Sequence, residues 1–199
     1  MYKLNLYMKK SYIIFGGIAL FAIILFFSYR GTYNKAIEYR NKVDNEAWGN
    51  VQAMYQRRAD LVPQLVETVK GAAANEKEIL TKVTNARAGL AGINDEILNA
   101  KNPEQMEIAG KKINTAINLA FEAYPQIQST KNFQDLQGQL EGSENRIAKA
   151  RTDFNEAVKN YNTHIEGFFN SMLLNKQTFP VKESFKASAG SEVAPEVKF

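Results

Sequence analysis

The sequence predicts an all-α protein, in which an N-terminal transmembrane helix is followed by an antiparallel bundle of about four long helices. An uncharged apolar run occupies residues 11–29. The polar remainder shows the three- and four-residue apolar spacing of amphipathic helices. No stretch shows the two-residue alternation that strands need. The predicted organisation is a tail over 1–10, the transmembrane helix over 11–29, the bundle domain over 30–176 and an extended tail over 177–199.

The apolar run has the length and composition of a membrane anchor. A helix over these residues rises roughly 28 Å, close to the hydrocarbon thickness of a bilayer. A cleaved signal peptide is the alternative, but its apolar region is shorter and a small-residue cleavage site should follow it. The residues after the run, Phe26-Phe27-Ser28-Tyr29-Arg30, make a poor site. We therefore predict an uncleaved anchor formed by Ile13, Ile14, Phe15, Ile18, Leu20, Phe21, Ile23, Ile24, Leu25, Phe26 and Phe27.

Basic residues nearly balance on the two sides of this anchor. Those before it are Lys3, Lys9 and Lys10, and those after it are Arg30, Lys35, Arg40 and Lys42. We expect a cytoplasmic N-terminus and an exported domain, because the opposite orientation would carry the N-terminal lysines and the α-amine across the membrane. The absence of cysteine is compatible with an exported domain.

The charge of the chain argues against binding to nucleic acid. The formal charge is +4, from 25 basic and 21 acidic residues. Residues 1–29 hold three lysines and no acidic residue, so the remainder has 22 basic and 21 acidic residues and a net charge of +1. A near-neutral domain with interspersed charges lacks the basic surface of a nucleic-acid-binding protein. Because the chain has no cysteine, the fold must be stabilised by packing without disulfides.

Local signals predict the helices of the bundle. A long helix over 33–71 should be kinked at Pro63, because proline lacks the N–H and clashes with the preceding turn. A second helix should begin near Asn75 and end near Gly92, and a turn should occupy 94–101. Asn102-Pro103-Glu104-Gln105 combines an N-cap, a proline at the first helical position and an acidic side chain near the helix N-terminus, so it should begin the third helix. That helix should end or kink at Pro125.

The last predicted helix carries the clearest pattern. Its apolar face alternates steps of three and four over more than thirty residues: Phe133, Leu136, Leu140, Ser143, Ile147, Ala150, Phe154, Ala157, Tyr161, His164 and Phe168. Such a repeat favours partner helices at shallow crossing angles. For the segment after residue 176, docking on the bundle and disorder are equal alternatives.

The sequence offers no catalytic or metal-binding constellation. Its single histidine, His164, excludes a di-iron site built from two Glu-x-x-His pairs. We expect this histidine to be partly buried and hydrogen-bonded. No P-loop, G-x-G-x-x-G or G-x-S-x-G motif is present. We therefore predict no enzymatic activity, no cofactor, no metal and no small-molecule substrate.

Two adjacent arginines, Arg57 and Arg58, invite two interpretations. They point about 100° apart on a helix, so they cannot share one small anion without a bend. In the first interpretation, one arginine pairs with Asp60 or with a carboxylate of a facing helix, and the other is solvated. In the second, both contact lipid phosphates or a partner protein.

One stretch of the chain is distinctive: Tyr55-Gln-Arg-Arg-Ala-Asp-Leu-Val-Pro-Gln-Leu-Val-Glu-Thr-Val-Lys-Gly71. This stretch closely resembles the signature of the bacterial LemA family. The resemblance continues in order through 83–88, 132–137, 140–148, 154–162 and 194–199. It marks a family motif of unknown role: Arg57, Arg58, Asp60, Pro63, Glu67 and Gly71.

This resemblance implies a membrane helix followed by a helical bundle, with no established activity or cofactor. Relatives in magnetosome-forming bacteria are linked to membrane compartment formation. The expected location is the bacterial cytoplasmic (inner) membrane, with a single span. We expect a non-enzymatic membrane-anchored scaffold or adaptor that contacts lipid through its N-terminal helix and acts through unidentified protein partners or self-assembly. A lipid-proximal membrane-remodelling module is the alternative, and an envelope enzyme that uses carboxylates ranks lower.

Overall fold

Helices make up most of the part of the chain that the structure describes, which confirms the all-α class. The structure, a computed structural model, describes residues 2–72, 81, 84, 85, 88–123 and 130–186, and these contain no β-strand. The helices are α1 (Tyr2–Asn41), a π-helix (Lys42–Ala47), α2 (Trp48–Ala72), α3 (Ile93–Asn99), α4 (Pro103–Ala123), α5 (Lys131–Glu166) and α6 (Phe168–Leu173).

The contacts divide the chain into two compact units. One unit, here called the anchor unit, comprises Met1–Lys42 and Asn160–Lys182. The other, here called the bundle unit, comprises Val43–Lys159 and Glu183–Phe199.

Helix α1 contains the predicted anchor. Its apolar stretch has a mean hydropathy of 2.3, and none of this stretch is buried. By length and composition it is the one helix among the described residues that could cross a membrane. All eleven of the predicted anchor side chains are exposed in the structure. Exposed aliphatic and aromatic side chains over this length need an apolar surrounding, which a bilayer provides.

Helix α2 passes through Pro63 without a break. Because Pro63 is exposed, its ring lies on the solvent side while neighbouring Val62, Leu65 and Val66 are fully buried. The sequence did not predict the π-helix that precedes α2. The predicted helix from Asn75 falls mostly outside the described residues.

The prediction of a turn over 94–101 is wrong, because Ile93–Asn99 forms helix α3. Gly92 lies before it with φ of 78°, a conformation that glycine adopts without a Cβ clash. Ile93 and Ile97, one turn apart, are buried, and α3 contacts α2 and α4. The Gln52 amide donates to the carbonyls of Ile97 and Leu98, 3.0 Å from each. A distant side chain therefore satisfies carbonyls that a helix end leaves free.

Helix α4 begins where the sequence predicts. The Asn102 side chain accepts from the Gln105 amide at 2.9 Å, and Pro103 takes the first helical position. The Gln105 side chain accepts in turn from the Lys101 amide at 2.8 Å. The end predicted at Pro125 lies outside the described residues.

Helix α5 has 36 residues, which confirms a helix of more than thirty. The predicted face is buried from Phe133 to Phe154 and again at Tyr161. Val158 and Ile165 broaden this stripe, as their spacing predicts, while Ala157 and His164 are only partly buried. A straight helix of 3.6 residues per turn drifts in this way from a seven-residue repeat. Phe168 is not part of the seam: the helix ends at Glu166, and Phe168 is exposed in α6.

The segment after α6 docks on helix α5. Docking is one of the two alternatives that the sequence left open for the tail. In the anchor unit, the Asn162 side chain exchanges two hydrogen bonds with the Lys182 backbone, at 2.9 and 3.0 Å. In the bundle unit, Asn155 does the same with the Phe185 backbone, at 3.0 and 2.8 Å. An asparagine amide can pair with both groups of one residue because it carries a donor and an acceptor. Residues 187–199 lie outside the described part.

We predict that Asn155→Leu releases the segment around Phe185 from the bundle unit. The substitution removes both hydrogen bonds, and each contributes about 1 kcal/mol. Limited trypsin digestion of the full chain in detergent should then show faster cleavage at Lys186. Asn160→Leu is the matched control, because Asn160 is an exposed asparagine of the same helix. Equal cleavage of both variants would contradict this role of Asn155.

Candidate functional site

A charged cleft of about 500 Å³ lies in the bundle unit. Side chains of α2, α4, α5 and the C-terminal segment line it: Tyr55, Arg58, Glu107, Gly110, Lys111, Asn114, Glu144, Ile147, Arg151 and Lys186. The apolar faces of the helices turn towards one another, so the residues at the edges of these faces meet at the cleft. Most of them are charged.

Arg58 forms one wall of the cleft and links three helices. From α2 its Nη1 lies 2.8 Å from Glu144 Oε2 and donates to Leu140 O at 3.0 Å, both on α5. Its Nε donates to Asn114 Oδ1 on α4 at 3.1 Å. Only 11% of the side chain is exposed. A guanidinium suits this place because its donors are fixed in one plane and point to several acceptors at once.

Arg58 also explains a buried serine in the apolar face of α5. The Ser143 hydroxyl donates to Leu140 O at 2.6 Å and accepts from Arg58 Nη1 at 3.1 Å. Ser143 is therefore buried with its hydrogen-bonding capacity used.

Arg151 forms the opposite wall. Its Nη2 donates to Glu107 Oε1 at 2.8 Å and to the Lys186 carbonyl at 3.2 Å. Its guanidinium carbon lies 4.7 Å from the centre of the Phe185 ring, in a cation–π contact. The Phe185 ring in turn packs on Phe154 and Trp48. The C-terminal segment is thus part of the cleft wall.

Tyr55 lies at the floor, where α2 and α4 approach closely. A Cβ built on Gly110 would lie 2.6 Å from Tyr55 Cε1, so only glycine leaves room for the ring. Burial raises the pKa of Tyr55; Arg151 opposes this shift, while the negative charges of Glu144 and Glu107 add to it. The phenol therefore stays neutral and presents an O–H group under the cleft.

The cleft carries an excess of positive charge. Its four cationic residues, Arg58, Lys111, Arg151 and Lys186, face two carboxylates, so the formal charge is +2. Both carboxylates are ion-paired, Glu144 with Arg58 and Glu107 with Arg151. Among the residues that the structure describes, no acidic side chain forms an ion pair with Lys111 or Lys186.

The other residues of the family motif lie elsewhere on α2. Arg57, Asp60 and Pro63 are exposed, and Glu67 pairs with Lys70 at 3.5 Å. Gly71 is exposed near the end of the helix. The structure thus supports the first interpretation of the arginine pair, in which one arginine meets a carboxylate of a facing helix and the other is solvated.

His164 belongs to the anchor unit and is partly buried, as expected. Its Nε2 lies 3.1 Å from the Thr32 carbonyl, and its Nδ1 lies 3.3 Å from the Asn170 amide nitrogen. Among the described residues, no group of three or more His, Asp or Glu side chains could hold a metal ion.

The sequence singles out Arg58 but not the residues that meet it in the cleft. Glu107, Lys111 and Arg151 flank the apolar positions of two different helices, and Lys186 lies in a segment without periodicity. Their meeting depends on the register between helices, which the spacing within one helix does not specify. The one available signal was a charged residue next to an apolar seam. Because this arrangement recurs throughout the chain, it does not distinguish the cleft residues from the others.

We predict that Arg58→Met lowers the free energy of unfolding by about 1–3 kcal/mol, because it removes the ion pair with Glu144 and the hydrogen bonds that a mostly buried guanidinium makes to α4 and α5. The melting temperature of the full chain in detergent, followed by circular dichroism, measures this. Arg57→Met is the matched control, and should change stability by less than about 0.5 kcal/mol because Arg57 is exposed. A similar loss in both variants would show that Arg58 has no special role in packing.

We predict that Gly110→Ala destabilises the chain by about 1–3 kcal/mol, because the new methyl group overlaps the buried Tyr55 ring. Gly138→Ala provides the control. Nothing lies within 4 Å of a Cβ at that helical position, so alanine there should stabilise by about 0.5–1 kcal/mol. Adding Tyr55→Leu to Gly110→Ala should recover part of the lost stability. If the double variant is no more stable than Gly110→Ala alone, the steric explanation is wrong.

Comparisons with known proteins identify the family. The LemA family model matches residues 47–199, which include the whole cleft. A curated relative, Protein LemA of Metamycoplasma hominis, is 24% identical over 165 residues, which cover 83% of this chain and 74% of the relative. The family model matches well over half of the residues of this chain, so the chain belongs to the LemA family.

Proposed function

We propose that this chain is a membrane-anchored adaptor without enzymatic activity, and that its cleft binds an acidic segment of a partner protein. One observation carries the proposal: the cleft around Arg58 and Arg151 is open, spans about 500 Å³ and has a formal charge of +2. Its positive charge contrasts with the near-neutral composition of the chain after the anchor. Local charge of one sign in a concave surface attracts ligands of the opposite sign.

The two kinds of cation in the cleft have different tasks in this proposal. Arg58 and Arg151 are held by Glu144 and Glu107, and both arginines support the packing of the helices. Lys111 and Lys186 are exposed and supply the charge that a ligand meets. The fixed carboxylates repel an acidic side chain in the wrong register, so they contribute specificity.

The size and lining of the cleft favour a peptide as ligand. Below the charged rim, Ile147 and Tyr55 give the cleft an apolar floor. An extended segment with acidic residues would find cations along the walls and apolar contact at the floor. Recognition of acidic segments by clusters of arginine and lysine is a recurring mode of peptide binding.

Helix α1 supports a location at the bacterial cytoplasmic membrane with a single span. In this proposal the N-terminal helix contacts lipid, and the cleft contacts protein. In this proposal the bundle is exported, because the opposite orientation would carry the N-terminal lysines and the α-amine across the membrane. The proposed binding of an acidic segment also allows self-assembly, in which a second copy of this chain supplies that segment.

The structure gives less support to the competing functions. Membrane remodelling through Arg57 and Arg58 would need both guanidinium groups free for lipid phosphates, and Arg58 is occupied by α4 and α5. Acid–base catalysis would need a buried pair of carboxylates. In the cleft, Glu107 and Glu144 have 34% and 54% of their side chains exposed, and each pairs with an arginine.

Binding of an acidic peptide tests the proposal. The full chain in nanodiscs of zwitterionic lipid is titrated into fluorescein-labelled octaglutamate, and anisotropy measures binding. We expect Lys111→Glu with Lys186→Glu to weaken binding by at least about tenfold, equivalent to about 1.4 kcal/mol. Octalysine with the same label should not bind.

Arg57→Glu with Lys149→Glu is the matched control, because it changes the net charge by the same amount outside the cleft. It should weaken binding much less. Equal weakening by the two pairs would assign the binding to net charge alone and refute the cleft as a peptide site.

A further inference from the structure

An exposed apolar patch lies on the short helix α6 of the anchor unit. Phe168, Phe169 and Met172 have 74%, 75% and 74% of their surface exposed. Their positions span an arc of about 100° on a helix, so they share one face. Other apolar residues nearby in the chain, Ile165 and Leu174, are buried. A clustered apolar surface of this kind marks a contact with another apolar phase or molecule.

The patch is attached to α1 just beyond its apolar run. The Asn170 side chain, which lies between Phe169 and Met172 in sequence, accepts from Thr32 Oγ1 at 3.3 Å. Thr32 follows Arg30, the first charged residue after the run, by two positions. Asn170 also donates to the His164 carbonyl at 2.8 Å, which ties the start of α6 to the end of α5.

Helix α6 lies where the chain reverses direction after α5, close to the end of the apolar run of α1. Before it, the His164 ring contacts Tyr39, with ring centres 5.4 Å apart. After it, the Phe179 ring contacts Tyr33 at 5.3 Å and Arg40 at 5.3 Å. The Tyr161 hydroxyl donates to the Pro180 carbonyl at 3.0 Å, so the chain returns along α5. Among the α1 side chains that the structure describes, that of Thr32 makes the hydrogen bond to this segment that lies closest to the apolar run.

We infer that α6 inserts its Phe168–Phe169–Met172 face into the lipid interface beside the anchor. The inference rests on the anchoring that the proposed function assigns to α1. The interface extends a few ångströms outside the hydrocarbon core, and amphipathic helices bury their apolar face about 5–10 Å into it. A helix tied to Thr32 lies within this zone when the apolar run spans the core.

Lipid is favoured over a second protein copy because the apolar run and the patch belong to one compact unit. When the run is immersed in a bilayer, the patch next to its end meets lipid without any further association step. Insertion would add a second contact with the membrane and restrict the tilt of α1 relative to the bilayer.

Site-directed labelling tests the inference, because the chain contains no cysteine. Phe169→Cys is labelled with an environment-sensitive NBD probe in full chains reconstituted into nanodiscs. We expect a shift of emission to shorter wavelength and a loss of fluorescence on adding lipid with a shallow nitroxide. Asn160→Cys is the control in the same unit; it is exposed on α5, further from α6 along the chain, and should report water.

A third label separates this inference from the anchoring that it rests on. Ile18→Cys lies within the apolar run and should be quenched by a deep nitroxide. Quenching at Ile18 together with a water-like spectrum at Phe169 would refute the lipid contact of α6 and leave the anchor intact. Absence of quenching at both would refute the anchor. A label at Phe169 that is shielded from nitroxide in lipid and from iodide in water would assign the patch to a protein contact and also overturn the inference.

Discussion

The bundle unit depends on the contacts of Arg58, because this one side chain of α2 reaches groups on both α4 and α5. Its Nε and Nη1 groups, which carry three N–H donors, serve an amide, a backbone carbonyl, a hydroxyl and a carboxylate. Apolar packing alone would let neighbouring helices slide by a turn with little change in buried area. A guanidinium with fixed acceptors selects one register, since a slide of one turn would separate it from Glu144 and Ser143. The charge next to the apolar face therefore specifies how the faces meet.

This geometry also explains why the cleft and the packing of the helices share residues. The guanidinium groups of Arg58 and Arg151 form ion pairs with neighbouring helices, and the same two groups line the cleft. Arg151 further connects to the C-terminal segment through the Phe185 ring and the Lys186 carbonyl. A ligand that competes for Arg151 would weaken the contact with this segment, so occupancy of the cleft and docking of the segment are linked.

The sequence predicted those features that depend on one helix at a time. The apolar run over 11–29, the start of α4 at Asn102-Pro103 and the long buried face of α5 follow from local spacing and capping chemistry. Features that depend on two distant segments were missed. Helix α3 is stabilised by Gln52 and by burial of Ile93 and Ile97, and residues 94–101 alone contain a turn-like sequence. For the cleft, the family motif supplied Arg58 without its role, and Tyr55, Glu107, Lys111, Arg151 and Lys186 required the packed helices.

The contrast between Phe168 and Phe185 shows how context assigns a role to one residue type. Phe185 follows a segment with no periodicity, yet it is buried against Trp48, Phe154 and Arg151 because Asn155 fixes its backbone. Phe168 continues the clearest periodic pattern of the chain, yet it is exposed because α5 ends two residues before it. Where the apolar spacing of a helix continues beyond the end of that helix, the remaining apolar residues need another apolar surrounding. In the anchor unit the surrounding within reach is the bilayer that the apolar run of α1 would cross.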